Sequence, residues 1–316
     1  MSERYFLGID GGQSSTIALI GDGIGQVIGV GRSGPCNHVG AAEGRAKFEN
    51  TIRGCLAAAC ERAGLAAGAI RFAAACLGFS GGPADKQSIL KEMLSVDRMT
   101  VTDDAVIALS GALAGEPGVI TISGTGSIAF GRNALGERAR AGGWGHVFGD
   151  EGSGFDIARQ ALRSILRFEE GWGPQTVLHR KLLEATGVHD AHDLLHRFYT
   201  PEFSRPKIAG YAPLVDEAAR AGDHEASRIL NVAAEQLGLL ANAVSRKLFG
   251  NDPARIVPIG GLFRSQLLRE RFRIVVERLG HQVQAARFGP AAGALIEAYR
   301  IAGLKVELSN VPPEKT

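Results

Sequence analysis

The sequence lacks a tract of basic residues. Its 35 lysines and arginines are interspersed with 33 acidic residues, which leaves a net charge of +2. This composition gives no support for a nucleic-acid or membrane-surface partner. The chain also lacks an apolar run of membrane-spanning length and a charged start followed by an apolar h-region, so we expect a cytoplasmic protein.

Cysteine is scarce as well. The 4 cysteines lie in the first quarter of the chain and form no C-x-x-C pair. Neither a zinc site nor a disulfide framework is therefore indicated. We expect Cys55 and Cys60 to be thiols of the hydrophobic core.

No segment matches G-x-x-x-x-G-K-[ST], so a P-loop is excluded as a nucleotide cradle. The chain instead contains two similar segments, FLGIDGGQSSTIALIGDGIGQVIGVG from Phe6 and ITISGTGSIAFGRNALGERARAGG from Ile120. Each shows a strand, a turn of glycine and hydroxyl residues, a second strand, a polar turn and a third strand. We interpret them as a duplicated hairpin.

The two glycine turns are candidates for phosphate binding. Gly11, Gly12, Gly124 and Gly126 permit positive φ and close approach, so that successive N–H groups can converge on an anion. Hydroxyl donors are added by Ser14, Ser15, Thr125 and Ser127. Each turn alone is typical of an ordinary hairpin, and only the matched pair favours a phosphate site.

The length of 316 residues, 45% of them hydrophobic, suggests two domains. Strand-like runs occupy 5–10, 15–20, 26–30, 72–79, 99–102, 118–122, 128–131, 255–259 and 281–285. Helical patterns occupy 44–63, 86–94, 156–167, 211–221, 225–249, 265–279 and 290–302. Residues 168–207 are typical of short helices and loops. The alternation of strands and helices indicates an α/β fold with mixed sheets, divided near Glu116 to Gly118.

Two adjacent carboxylates, Asp103 and Asp104, follow the strand-like run at 99–102. Phosphoryl transfer to a hydroxyl needs a carboxylate that accepts the hydroxyl proton. One of the pair could supply it from the end of the strand. The alternative is that both residues only cap a helix that starts near Val106.

The segment GGWGHVFGDEGSG at 142–154 offers a polar array suited to a sugar. Asp150 and Glu151 can accept from ring hydroxyls, the amides of Gly143 and Gly145 can approach an acetamido oxygen, and Trp144 provides a flat apolar wall. The alternative is a glycine-rich loop in which Trp144 joins the core and a carboxylate caps the helix at 156.

Taken with VTDDA at 101–105 and IGGLF at 259–263, these motifs resemble the N-acetylglucosamine kinase branch of the BadF/BadG/BcrA/BcrD-type ATPases, within the actin-like and hexokinase-like superfamily. The resemblance extends from about residue 5 to residue 300. It implies two ribonuclease-H-like domains, 1–116 and 117–289, with mixed sheets flanked by helices and ATP and sugar in the interdomain cleft. Residues 290–316 would form a helix and tail that return to the first domain.

The resemblance also implies roles for individual residues. The base is Asp104, because the family has a small polar residue before the catalytic Asp and Ala or Gly after it. Asp10 would hold magnesium through water. Phosphates would bind the first turn, formed by Gly11, Gly12, Gln13, Ser14 and Ser15, and the second turn, formed by Gly124, Thr125, Gly126 and Ser127. Gly260, Gly261 and Leu262 would line the adenosine side, and the sugar would contact Asn37, His38, Asp104, Gly143, Trp144, Gly145, Asp150 and Glu151. Gln13 replaces the third glycine of the commoner D-G-G-G-T start.

The predicted protein is therefore a phosphotransferase with an alcohol group as acceptor. It would use ATP and Mg²⁺ to phosphorylate the 6-hydroxyl of N-acetylglucosamine, with glucosamine and N-acetylmuramic acid as competing substrates. The motifs are also compatible with an activase-type ATPase that drives a partner protein, and with a sugar-binding regulator that lacks the chemistry. Whether the protein forms a homodimer is left open.

Overall fold

The computed structural model describes residues 4–36, 42–80 and 85–313. The chain forms two compact units. The first unit contains Met1–Glu116 and Ala286–Thr316, and the second contains Pro117–Ala285.

The first unit is built on a five-stranded mixed sheet with the order β3-β2-β1-β4-β5. Its strands are β1 (Tyr5–Gly11), β2 (Thr16–Gly21), β3 (Val27–Ser33), β4 (Phe72–Phe79) and β5 (Met99–Asp103). The first three form an antiparallel meander, while β4 and β5 run parallel to β1. Helices of this part of the chain are α1 (Ala42–Ala63), α2 (Gln87–Met93) and α3 (Asp104–Ala112).

The second unit repeats this plan in a sheet of order β10-β9-β6-β7-β8. Its strands are β6 (Gly118–Ser123), β7 (Ser127–Arg132), β8 (Arg138–Gly142), β9 (Arg255–Ile259) and β10 (Gln282–Val283). Here too, an antiparallel meander of three strands is followed by two parallel strands on the far side of the first. The predicted duplicated hairpin and mixed sheets are confirmed.

Helices surround the second sheet. They are α4 (Gly154–Glu169), α5 (Leu178–Thr186), α6 (Ala191–Phe198), α7 (Arg205–Ala209), α8 (Ala212–Arg220), α9 (His224–Phe249) and α10 (Gln266–Arg278). The segment predicted to form short helices and loops contains α5, α6 and the start of α7. At the edge of the sheet, β10 is shorter than the predicted 281–285 strand.

The first sheet is buried on both faces, because successive apolar side chains of its strands point to opposite faces. Leu7 and Ile9 belong to the core that includes α1. Phe6 faces the opposite core, which includes the final helix α11 (Pro290–Ile301). Since a Cβ on Gly8 would lie 2.3 Å from the backbone nitrogen of Leu295, that helix packs directly on β1.

The chain rejoins the first unit at Ala286, earlier than the 290 that the sequence suggests. The backbone amides of Arg287 and Phe288 donate to the carbonyls of Ala112 and Gly111, at 3.0 and 3.1 Å. These bonds attach the segment to the end of α3 before α11 begins.

All four cysteines are buried thiols outside any disulfide. Burial raises the pKa of the Cys55 thiol to about 12, which leaves it protonated and unreactive at neutral pH. The prediction of core thiols at Cys55 and Cys60 is confirmed. In the described part of the chain, no helix has both the length and the apolar character needed to cross a membrane.

Candidate active site

The proposed base lies at the same sheet edge as the first turn. Gly11 pairs with Phe79 and Phe79 pairs with Asp103, so the carboxyl ends of β1, β4 and β5 are in register. Carboxyl ends of parallel strands are where α/β folds gather ligand-binding residues. The sheet therefore brings the first turn and the Asp103–Asp104 pair together within a single unit.

Ser80 joins these two features. Its hydroxyl donates to the Asp104 carboxylate at 2.8 Å, and its backbone amide donates to the Gly11 carbonyl at 3.3 Å. The hydrogen bond orients the Asp104 side chain beside the turn. Sequence patterns do not single out Ser80, although a hydroxyl residue directly after a buried strand, in GFSGG, is a signal that could find it.

The structure distinguishes the two aspartates. Asp103 occupies the N-cap position of α3, and within the described chain its side chain makes no capping hydrogen bond. Asp104 is the first residue of the helix, exposed and bonded to Ser80. The alternative prediction, that the two aspartates only cap the helix, does not describe their side chains: Asp103 makes no capping bond in the described chain, and Asp104 accepts from Ser80.

The first turn joins β1 to β2 and is closed by a hydrogen bond from the Gly12 amide to the Ser15 carbonyl at 2.9 Å. Gln13, Ser14 and Ser15 are exposed. At residue 36 the chain reaches this turn, since the Cys36 amide donates to the Gly12 carbonyl at 3.0 Å. Asn37 and His38, the predicted sugar contacts that follow, lie outside the described residues.

Positive φ is not the reason for the glycines in either turn, which corrects the prediction. Gly11, Gly12, Gly124 and Gly126 all lie outside the left-handed region. Close packing explains two of them: a Cβ on Gly11 would lie 2.3 Å from the Phe79 ring, and one on Gly126 would lie 3.0 Å from both Asp150 carboxylate oxygens.

A buried cation lies near the first turn. The Lys86 ammonium is 5.7 Å from the centroid of the Phe79 ring, which itself packs against Gly11. It donates to Asp85 at 2.8 Å, and its side chain is completely buried. Asp85 pairs with this charge, and sequence patterns do not single out the two residues.

The second turn joins β6 to β7 and is held by the loop at 150–152. The Ser123 hydroxyl donates to the Gly152 carbonyl at 2.9 Å, and the Ser127 hydroxyl donates to the Glu151 carbonyl at 2.7 Å. The Ser127 hydroxyl therefore supports the loop in this structure, and its contact with phosphate stays a prediction. Among the described residues, the Thr125 hydroxyl has no such partner, and Thr125 stays a candidate.

The IGGLF turn lies beside the second turn. Ile122 pairs with Ile259, so β6 and β9 end together. Gly260 has φ +102°, and a Cβ there would lie 2.4 Å from the Ser123 carbonyl oxygen. Only glycine satisfies both constraints.

The start of α4 joins this cluster. The Gly154 amide donates to the Gly124 carbonyl at 2.8 Å, and a Cβ on Gly154 would lie 3.1 Å from a methyl carbon of Leu262. Gly124, Gly154 and Leu262 are therefore neighbours at one edge of the second sheet. The predicted phosphate and adenosine residues of this unit meet there.

Trp144 lies on the surface, which corrects the alternative that it belongs to the core. Its side chain is 65% exposed, and the Arg140 guanidinium lies 4.7 Å from the ring centroid. The flanking Gly143 and Gly145 have φ values of +73° and +80°. The glycines on either side of the exposed Trp144 therefore adopt a backbone conformation that favours glycine.

Asp150 and Glu151 differ in their surroundings. Asp150 is 3% exposed, accepts from the Ser127 amide at 3.3 Å and forms an ion pair with Arg205. Glu151 lines a polar cavity of about 360 Å³ with arginines of α4. Neither caps that helix, because Ser153 does so by accepting from the Asp156 amide at 3.1 Å. Their contacts to sugar stay a prediction.

Comparison with known proteins identifies the family. The profile of the BadF/BadG/BcrA/BcrD ATPase family matches residues 7–298. The chain belongs to this family. The matched range includes both turns, Asp104, the loop at 142–154 and the IGGLF turn, and ATP is therefore the nucleotide expected by family membership.

Two curated proteins are similar to this BadF/BadG family member over most of their length. The chain is 32% identical over 290 residues to the N-acetylmuramic acid/N-acetylglucosamine kinase of Clostridium acetobutylicum, covering 85% of this chain and 89% of that protein. It is 33% identical over 276 residues to the N-acetyl-D-glucosamine kinase of Dictyostelium discoideum, covering 82% of this chain and 84% of that protein.

A solved structure supports the same relationship. A Chromobacterium violaceum protein, described as a candidate N-acetylglucosamine kinase, superposes with a TM-score of 0.71 at 28% identity. The superposition covers 93% of this chain and 98% of that one. The two-unit fold of this BadF/BadG family member is therefore shared with that protein over nearly its whole length.

Proposed function

We propose that this protein is an ATP-dependent kinase that transfers the γ-phosphoryl group to the 6-hydroxyl of an amino sugar, with N-acetylglucosamine as the first candidate. The observation that carries the proposal is the position of Asp104 beside the first turn, where Ser80 orients it. The names of the relatives support the same substrate class.

In this mechanism Asp104 accepts the proton of the attacking hydroxyl. The freed oxygen forms a bond to the γ-phosphorus, the bond from that phosphorus to the bridging oxygen breaks, and ADP leaves. Ser80 holds one carboxylate oxygen of Asp104 in place. A positioned base of this kind contributes roughly 100-fold or more to a rate.

The two turns would neutralise the phosphates. Backbone amides and the exposed hydroxyls of Ser14 and Ser15 serve the first turn, and the Thr125 hydroxyl serves the second. Gly260, Gly261 and Leu262 would lie along the adenosine. These groups are preorganised, so they stabilise charge without reorganising during the reaction.

Magnesium would bind through water near Asp10. Within the described residues no group of three or more His, Cys, Asp or Glu side chains forms a metal cage. One carboxylate at the end of β1 suits an ion that keeps several waters and completes its shell with phosphate oxygens. The ion would supply charge neutralisation to the phosphates.

The sugar would contact Trp144, Gly143, Gly145, Glu151, Asn37 and His38. Both carboxylate oxygens of Asp150, also predicted as a sugar contact, are already bonded to Arg205 and the Ser127 amide. The exposed Trp144 ring and bare glycine backbone suit the methyl and neutral amide of an acetamido group. N-acetylmuramic acid is a second candidate, favoured by the name of the Clostridium acetobutylicum relative, an N-acetylmuramic acid/N-acetylglucosamine kinase. Glucosamine carries an ammonium in place of the acetamido group, which would prefer a carboxylate.

An activase-type ATPase would need cysteines that reach a partner subunit. Cys36, Cys55, Cys60 and Cys76 are each buried. None is available for a shared cluster in this fold, and the exposed Trp144 loop would have no role. A sugar kinase accounts for both observations.

The test is an ADP-release assay over a panel of sugars, with a no-sugar control. ADP release that requires an amino sugar, with a phosphorylated product that carries the phosphate at the 6-position by NMR, supports the kinase. ADP release at the same rate without sugar would overturn it in favour of an activase-type ATPase. Competition between the three sugars at equal concentration then ranks them.

A further inference from the structure

Arg205 lies against the second turn. It begins α7 and forms an ion pair with Asp150. A Cβ on Gly126 would lie 2.6 Å from the Arg205 Nη2 atom and 3.0 Å from each Asp150 carboxylate oxygen. The Asp150–Arg205 pair therefore contacts a residue of the turn that has no room for a side chain.

The Arg205 guanidinium has a hydrogen-bond donor that no group of the described chain accepts. Its Nε atom is buried and has no hydrogen-bond partner within the described chain, although the side chain as a whole is 35% exposed. A buried donor without an acceptor costs free energy, so its retention needs an explanation. The neighbouring backbone amides of Thr125 and Gly126 are likewise without an acceptor among the described residues.

Asp150 holds this cation in place. Its carboxylate is almost fully buried, and the Ser127 amide donates to the second oxygen. The residue has φ +61°, an uncommon conformation for a side chain other than glycine. The loop thus adopts a strained conformation that places the carboxylate between the turn and Arg205.

We propose that Arg205 binds a phosphate oxygen of ATP at the second turn and that Asp150 is the positioning residue for its guanidinium. The inference rests on the proposed function, since it assumes that the second turn receives nucleotide phosphate. An arginine fork matches phosphate geometry and can bridge a carboxylate and an anion at once. The sequence pattern of the family motifs does not include this residue.

A second ion pair of the same unit provides a matched control. Arg228 pairs with the buried Glu225 at 2.7 Å on α9, with side-chain exposures of 51% and 7%. The hydrogen bond from Arg228 lowers the pKa of the Glu225 carboxyl. Substitution of Arg228 removes a comparable surface cation from a buried carboxylate but leaves the second turn intact.

The experiment is calorimetric binding of magnesium-ATP and of adenosine, without sugar, to the wild type, R205Q, R205K and R228Q. We expect R205Q to weaken ATP binding about 10-fold, as loss of a charge-assisted bond requires, with adenosine binding unchanged. R205K keeps the charge without the fork and should be intermediate. R228Q should bind both ligands like the wild type.

Each remaining outcome decides the question. ATP binding by R205Q and R205K at the wild-type level overturns the role of Arg205 while leaving the kinase intact. If R205Q loses ATP binding and adenosine binding equally, the role of Arg205 is structural and the proposal is overturned. The proposal is also overturned if R228Q loses as much ATP binding as R205Q. If R205Q does not fold, as shown by its melting curve, R205K alone decides by the same criteria. A wild type that binds no ATP instead refutes the proposed function.

Discussion

The two sheets share one strand order, but their turns are held in different ways. The first turn presents the exposed side chains of Gln13, Ser14 and Ser15. The backbone amides of Gly12, Cys36 and Ser80 donate hydrogen bonds to its carbonyls. The second turn is shorter, and the loop at 150–152 binds it through the hydroxyls of Ser123 and Ser127. The same hairpin has become an open turn in one unit and a supported turn in the other.

This difference indicates a division of labour. The first turn shares its sheet edge with Asp104, so the unit with the open turn carries the proposed base. The second turn lies among Gly154, Gly260 and Leu262, so the unit with the supported turn carries the proposed nucleotide site. The hydrogen bonds from the loop at 150–152 preorganise the supported turn for binding.

The largest effect is expected from D104N. The change removes the proton acceptor and nearly preserves shape, so turnover should fall roughly 100-fold or more in a coupled assay. D103N is the matched control and should do much less, because Asp103 makes no capping bond in the described chain. A greater loss of turnover in D103N than in D104N would show that Asp103, and not Asp104, is the base.

Next in size is the effect of G260A on the supported turn. The positive φ and the 2.4 Å approach to the Ser123 carbonyl predict a loss of roughly 2 kcal/mol or more in the free energy of unfolding. G261A is the control, because nothing lies within 4 Å of a Cβ there. Equal urea denaturation curves for the two variants would contradict the close contact between position 260 and the Ser123 carbonyl.

Ser80 should have a smaller effect, in the unit with the open turn. S80A removes the hydrogen bond to Asp104, so we expect kcat to fall about 10-fold, as for an orienting group, while the KM for ATP is unchanged. S80T retains a hydroxyl and should recover most of the rate. A fall in ATP affinity with normal kcat would instead make Ser80 a nucleotide contact.

Hydroxyl deletion compares the turns directly. T125V keeps the volume and removes one donor, so we expect the KM for ATP to rise about 5-fold while sugar affinity is unchanged, and S14A should behave alike. S127A should instead lower stability, because its hydroxyl bonds the Glu151 carbonyl. Normal ATP kinetics in both T125V and S14A would show that these turns are structural.

The smallest effect is a pH dependence in the second unit. Burial, with a contribution from the Arg246 charge, lowers the pKa of His281, whose Nδ1 accepts from the Ala254 amide at 3.2 Å. The unfolded chain then binds the proton more readily, so stability is full above pH about 6.5 and falls below it. H281Q should weaken this dependence in urea titrations at several pH values, and an unchanged dependence in H281Q would contradict the role of His281.

The fold was accessible from sequence because its signals are local. Short apolar runs bounded by turn residues predict the strands of both sheets, and a repeated strand–turn–strand plan predicts the duplication. Local signals also place the Asp103–Asp104 pair at the end of a strand, and the resemblance to the family then selects Asp104. The ends of elements were less accessible: α4 begins at Gly154 because Ser153, two residues past the acidic pair, provides the cap.

The partners of the site residues were decided by the tertiary structure alone. Ser80 reaches Asp104 across 24 positions, and Arg205 reaches Asp150 across 55. Such pairs depend on sheet register and on how loops pack, which no local propensity contains. The glycines of the two turns show the same division. The sequence determined that positions 11 and 126 have no side chain. Only the tertiary structure shows that close contact, with Phe79 in one unit and with Asp150 and Arg205 in the other, is the reason, and not backbone conformation.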